Sequence, residues 1–269
     1  MKNRYFAAAL AGSGVGTLGG LIGLGGAEFR LPLLIGLFRF GPLPAIILNK
    51  ATSLVVVGSA LPLRFGAVPF NDVAPHWPII LNLLAGSLIG AWSGAAWATR
   101  LNAPLLYKII SVLLVLMAAA LVFGHGWGGS GQPALHGIWL AIAGILAGFG
   151  IGVVASLMGV AGGELLIPTL VLLFGLDLKL AGSLSLAVSL PTMIVGFTRF
   201  SRDGSFAVLK SDRRFFLAMA AGSVLGAGLG SLLLGIVDTK LLLPLLALIL
   251  FISAIKVWRH GAKKTEVQA

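Results

Sequence analysis

Two glutamates carry the clearest chemical signal in this chain. Of eight Asp and Glu residues, only Glu28 and Glu164 fall inside apolar blocks, and the rest fall in predicted loops or tails. Each follows a glycine-rich break, at Gly23–Gly26 and at Gly159–Gly163, and opens a short apolar segment. A carboxylate there complements the positive end of a helix dipole, or it carries a proton or couples an ion. Arg30 and Lys50 are the cations in the same setting. Glu28 and Arg30 are two residues apart and do not face each other on one helix. Arg30 is thus read as the partner of a more distant glutamate, or, with Lys50, as a donor of charge-assisted hydrogen bonds to an anion.

The breaks suit an anion too. Glycine lets backbone come close, and helix N-termini present N–H groups with partial positive charge. Polar residues on the following segments can complete the pocket: Asn49, Thr52 and Ser53, and later Ser183, Ser185 and Ser189. Hydroxyls also occur in membrane helices as packing contacts, which is the alternative for these serines and threonines. The candidate substrate-binding set is therefore Gly23, Gly25, Gly26, Arg30, Asn49, Lys50, Ser53, Gly159, Gly162, Gly163, Ser183 and Ser185. Glu28 and Glu164 are the candidates for proton or ion coupling.

Other chemistries find no support. There is no cysteine, which removes disulfides, thiolate metal sites and thiol catalysis. His76, His125, His136 and His260 lie in predicted loops or helix ends without metal-ligand spacing. Gly14-x-Gly16-x-x-Gly19 matches a dinucleotide fingerprint in letters only, because no strand precedes it. No nucleophile–base pair or metal set emerges, so the expectation is a non-enzyme without cofactor or metal.

These residues must be positioned by helices in a bilayer. The chain has 269 residues, 58% of them hydrophobic and 10% charged, whereas a soluble domain carries about 25% charged residues. Leu105–Phe123 contains one charge, Lys108, and Leu241–Ile255 none. Runs of about 20 apolar residues match the hydrocarbon thickness when helical, and no segments alternate as barrel strands would. The net charge of +11 gathers in the 199–214 connection and the tail after Lys256. That is how a membrane protein marks its cytoplasmic side rather than how it binds nucleic acid.

The sequence also repeats itself at an offset of 136 residues. AGSGVGTLGGLIGLGGAEFRLPLL at 11–34 aligns with AGFGIGVVASLMGVAGGELLIPTL at 147–170, pairing Gly26 with Gly162, Glu28 with Glu164 and Pro32 with Pro168. AGSLIGAWSG at 85–94 aligns with AGSVLGAGLG at 221–230 by the same shift. Because the first block recurs mid-chain, it is a structural unit and not a cleaved leader. Each copy predicts an apolar helix, a break, a short segment (27–38, 163–175) and three longer helices. Those are 43–63, 78–98 and 103–123, then 180–198, 214–235 and 239–258.

The expected organisation is a first membrane repeat at 1–123, an extracytoplasmic linker at 124–136, a second repeat at 137–258 and a basic cytoplasmic tail at 259–269. The basic connection and tail share the cytoplasm, and the linker, without Lys or Arg, lies opposite. Counting back puts the N-terminus inside as well. An odd number of segments per copy inverts one copy against the other, a pattern found in secondary transporters. The fold class is thus an all-α integral membrane protein of two inverted repeats, each of about five segments with Gly-rich broken or re-entrant helices. Residues 27–38 span about 18 Å as helix, too short to cross alone.

At the doubled block, GLIGLGGAEFRLPLL at 20–34 and SLMGVAGGELLIPTL at 156–170, the sequence resembles the TauE/SafE family of sulfite exporters. The likeness extends over nearly the whole chain. It implies transport of sulfite, sulfonates or related organosulfur anions across the cytoplasmic (inner) membrane, with the Gly-rich tips lining the path. Moving an anion outward gains about 2.3 kcal/mol per charge per 100 mV, which favours export. The expected partners are a small anion and membrane lipid, and a homodimer is compatible. An anion channel and a non-transporting membrane scaffold are the competing readings.

Overall fold

In a bilayer no water satisfies backbone N–H and C=O groups, so a chain this apolar closes its hydrogen bonds within helices. The computed structural model describes residues 2–22, 26–65, 73–123, 132–202, 206–233 and 239–266, and among them no strand occurs. The first copy contains α1 (Lys2–Ile22), α2 (Ala27–Gly36), α3 (Pro42–Phe65), α4 (Trp77–Arg100) and α5 (Ala103–Phe123). The second contains α6 (Gly137–Met158), α7 (Gly163–Leu172), α8 (Leu178–Ser201), a short α9 (Ala207–Ser211), α10 (Arg213–Leu233) and α11 (Thr239–Glu266). The starts of α2, α3, α4 and α5 recur 136 residues later as the starts of α7, α8, α10 and α11.

Boundaries differ from the sequence reading chiefly in three places. The turn at Ala74–His76 and α9 were not expected; each immediately precedes the third long helix of its copy. α11 continues to Glu266, past the predicted end at 258, because Ala262, Lys263, Lys264 and Glu266 are good helix formers. The first part of the linker, 124–131, lies outside the described residues.

Among the described residues, six helices are long and apolar enough to cross a membrane. Their surfaces suit lipid: Leu10 is 58% exposed, Ile89 65% and Leu225 69%, whereas Glu28, Arg30, Asn49 and Lys50 are buried. Apolar side chains thus cover the surface as well as filling most of the core.

Packing between copies is reciprocal. α1 lies along α10 and α4 along α6; α2 meets α11 as α7 meets α5; α3 meets α8 and α5 meets α11. Glycine ladders set the two closest pairs. A Cβ on Gly86, Gly90, Gly148 or Gly152 would strike backbone of Ile145, Phe149, Leu83 or Ser87 across α4 and α6. Gly222, Gly226, Gly12 and Gly16 meet Ala9, Ser13, Met219 and Ser223 across α1 and α10 in the same way. Every one of these contacts maps onto its counterpart by the 136-residue shift. Without a hydrophobic drive between helices in lipid, such close backbone packing holds the pairs together.

The short helices return to the side from which their copy starts. Arg4, at the start of α1, lies 5.1 Å from the Phe40 ring beyond the end of α2, and 5.2 Å from the Phe215 ring. In the second copy Ala134 N, just before α6, donates to Leu173 O beyond α7 at 3.0 Å. α1–α2 and α6–α7 are thus helical hairpins whose ends come together. Each turns at a glycine in the left-handed region, Gly26 (φ 70°) and Gly162 (φ 83°), which favours a residue without Cβ.

Candidate functional site

The two hairpin tips meet in the core. α2 begins after Gly26 and α7 after Gly162, and neither N-terminus is capped by a side chain. Pro32 and Pro168 sit inside these short helices. Each removes the N–H that the carbonyl four residues earlier, of Glu28 and of Glu164, would have accepted. The tips therefore keep polar backbone beside their glutamates.

Glu28 and Glu164 occupy the first turns of α2 and α7. Their carboxyl groups lie within electrostatic reach of each other across the repeat interface. Glu28 is 1% exposed and Glu164 6%, and no oxygen of either accepts a hydrogen bond from another group. The Arg30–glutamate pairing foreseen as one option is not made through hydrogen bonds to these carboxyls. Arg30 Nη1 turns to α3 instead, donating to Asn49 Oδ1 at 3.2 Å and Ser53 Oγ at 3.0 Å. Asn49 Nδ2 then donates to Ala27 O (2.9 Å) in one tip and to Met158 O (3.0 Å) at the end of α6. One side chain so ties both hairpins to α3.

Lys50, the next residue on α3, reaches the other way. Its Nζ donates to Ser156 Oγ at 3.1 Å and Ala155 O at 3.4 Å, on the last turn of α6. Ser156 Oγ in turn donates to Ala91 O at 2.9 Å. The lysine is fully buried, and no carboxylate of a described residue lies within ion-pair distance of it. Gly196 on α8 makes room: a Cβ there would come within 2.7 Å of Lys50 Nζ. Gly159, in the left-handed region (φ 68°), brings the backbone after α6 against Ile46 and the Lys50 amide.

The other expected residues divide. Gly26, Gly162 and Gly163 are buried at the tips, while Gly23 and Gly25 lie outside the described residues. Ser53 joins the cluster through Arg30. Ser185 donates to Gly182 O (2.9 Å) and Thr52 to Leu48 O (2.8 Å) along their own helices. Ser183 is half-buried. Ser189, the counterpart of Ser53, is buried with no partner for its hydroxyl.

Sequence reasoning missed Ser156, Gly196 and a pair joining α4 to α8, Ser87 Oγ and Thr192 Oγ1 at 2.7 Å. A signal was present. Ser156 stands where the first copy has Gly20, and Thr192 where it has Val56. Departures from the repeat mark where the copies do different work.

Comparison with known proteins now bears on this arrangement. The family model for the sulfite exporter TauE/SafE matches residues 8–257. The chain belongs to that family. It is also 24% identical over 255 residues to the probable membrane transporter protein YunE of Bacillus subtilis (strain 168), covering 88% of this chain and 91% of the relative. No solved structure gives a significant match. As a TauE/SafE member the chain is a multi-pass membrane transporter of a small molecule, and the charged residues buried among the described residues, Glu28, Arg30, Lys50 and Glu164, all lie in this cluster.

Proposed function

We propose that this transporter moves a small anion, sulfite or a sulfonate in the first instance, outward across the cytoplasmic membrane, with Lys50 as the principal anion contact. The observation that carries the reading is the Lys50 ammonium. It is fully buried, it meets only neutral oxygens, Ser156 Oγ and Ala155 O, and it has no carboxylate within ion-pair distance among the described residues. A buried cation without a counter-charge is costly, and an anion at this point offsets that cost. The uncapped amides at Ala27 and Gly163 and the Arg30–Asn49–Ser53 group supply further donors.

Glu28 and Glu164 are assigned the proton. Two ionised carboxylates offer only acceptors, so their contact is a hydrogen bond only when a proton sits between them. That suits coupling when the anion must move against its gradient. The reciprocal contacts and the antiparallel course of α5 and α11, with Tyr107 edge-to-face with His260 at 5.8 Å, support inverted repeats about a central axis. Both termini then face the cytoplasm, where the basic connection and tail lie. Because Glu28, Arg30, Asn49, Lys50 and Ser53 are all buried, the site opens to one side at a time in a carrier, which favours a carrier over a channel. A scaffold has no need of an uncompensated lysine in its core.

The test is uptake and efflux of labelled sulfite and taurine in proteoliposomes. Saturable flux with counterflow, reduced in Lys50→Ala and Arg30→Ala, is expected. Flux indifferent to both substitutions would sink the assigned site.

A further inference from the structure

The outer face carries a groove that the transport site does not use. It runs between α5 and α11, with a volume of about 350 Å³. Val112, Val115 and Leu116 form one wall and Ala254 and Ile255 the other. Ser111 also lines it, but its hydroxyl donates to Tyr107 O at 2.8 Å and is spent on the backbone. The walls are therefore apolar, and Leu116 is 57% exposed.

One end differs. Trp258 and Arg259 close the groove on α11. The edge-to-face contact of Tyr107 with His260 puts the start of α5 beside the end of α11. Lys108 precedes Ser111 and Val112 by one helical turn, which places it on the same face of α5 and at the same end as Arg259. Both cations are exposed. The apolar span of α11 ends at Gly261, so Arg259 and Trp258 stand where hydrocarbon gives way to headgroups. Tryptophan favours that level, and paired cations at it attract phosphate.

We propose that this groove is a binding site for one anionic phospholipid, its headgroup phosphate between Lys108 and Arg259 and an acyl chain along Val112, Val115 and Ile255. The charge at one end and the apolar walls beyond it match the two parts of such a lipid. A zwitterionic lipid of equal chain length fits the walls but gains less from the cations.

Native mass spectrometry of the full chain released from nanodiscs with equal phosphatidylglycerol and phosphatidylcholine tests the site. Retained lipid should be several-fold enriched in phosphatidylglycerol. Lys108→Ala with Arg259→Ala should abolish the enrichment, and Val115→Trp, which fills the groove, should lower total retained lipid. Arg214→Ala, an exposed cation elsewhere on the same side, should leave the pattern unchanged. Equal retention of both lipids, or enrichment that survives the double substitution, would overturn the proposal. So would a dimer mass that Val115→Trp converts to monomer, because the groove would then hold a second copy of the chain.

Discussion

The two repeats share a backbone plan and differ in their charges. Gly12, Gly16, Gly148 and Gly152 make equivalent contacts with equivalent carbonyls, and Gly26 and Gly162 turn equivalent hairpins. Arg30 and Lys50 of the first copy, however, face Leu166 and Leu186 at the matching positions of the second. Gly20 of the first copy is answered by Ser156, which Lys50 needs as an acceptor. Packing requires symmetry, because two close helix pairs have to be built from the same sequence pattern. The proposed site for one small ion does not: at the contact between copies one supplies the cations while the other supplies the oxygen that holds Lys50.

The largest expected effect is on the symmetric part. Gly86→Val and Gly222→Val each drive a side chain into a backbone carbonyl, of Ile145 and Ala9. Each should cost about 3 kcal/mol or more, read as loss of monodisperse protein in detergent. The two losses should be alike; a tolerated substitution in one copy only would break the packing equivalence.

Second in size is Lys50→Leu, which makes the first copy resemble the second. Loss of a charge-assisted contact should slow sulfite flux roughly ten- to hundredfold. The melting temperature should hold or rise, because an apolar group in place of a buried charge is often neutral or stabilising.

The hairpin turns sharpen the comparison further. A Cβ at Gly26 would strike Val15 O, whereas at Gly162 it would meet only side-chain carbons of Ile151 and Ala155, at 3.2 and 3.4 Å. Left-handed backbone alone costs an alanine about 1 kcal/mol. Gly26→Ala should therefore lower the thermal midpoint by clearly more than Gly162→Ala, and equal shifts would contradict the tip geometry.

The smallest effect separates the paired serines. Ser53→Ala removes an acceptor from Arg30 and should cost about 1.5 kcal/mol. Ser189→Ala removes a hydroxyl without a partner and should be neutral within about 0.5 kcal/mol, both read by thermal unfolding.

Much of this was legible in the sequence. The 136-residue repeat located every long helix, and the placement of Glu28, Glu164, Arg30 and Lys50 inside apolar blocks located the core cluster. The return of α2 was not legible, because an apolar segment of given length reads alike whether it crosses or returns. The contact of Arg4 with Phe40 shows that α2 folds back, and nothing in the spacing of the two residues marks it. Nor did spacing tell which partner Arg30 takes: Asn49 and Ser53 lie within reach only once α2 folds back on α3. Ser156 was visible as a departure from the repeat, but its role appears only when Lys50 is seen to cross between copies.

The most direct test is anion binding to purified protein by thermal shift, with sulfite, sulfate, thiosulfate, taurine and simple carboxylates. A ligand that binds the folded state raises the melting temperature with concentration. The account predicts a selective rise with a sulfur oxyanion or sulfonate that disappears in Lys50→Leu. A rise of the same size in Lys50→Leu would contradict it.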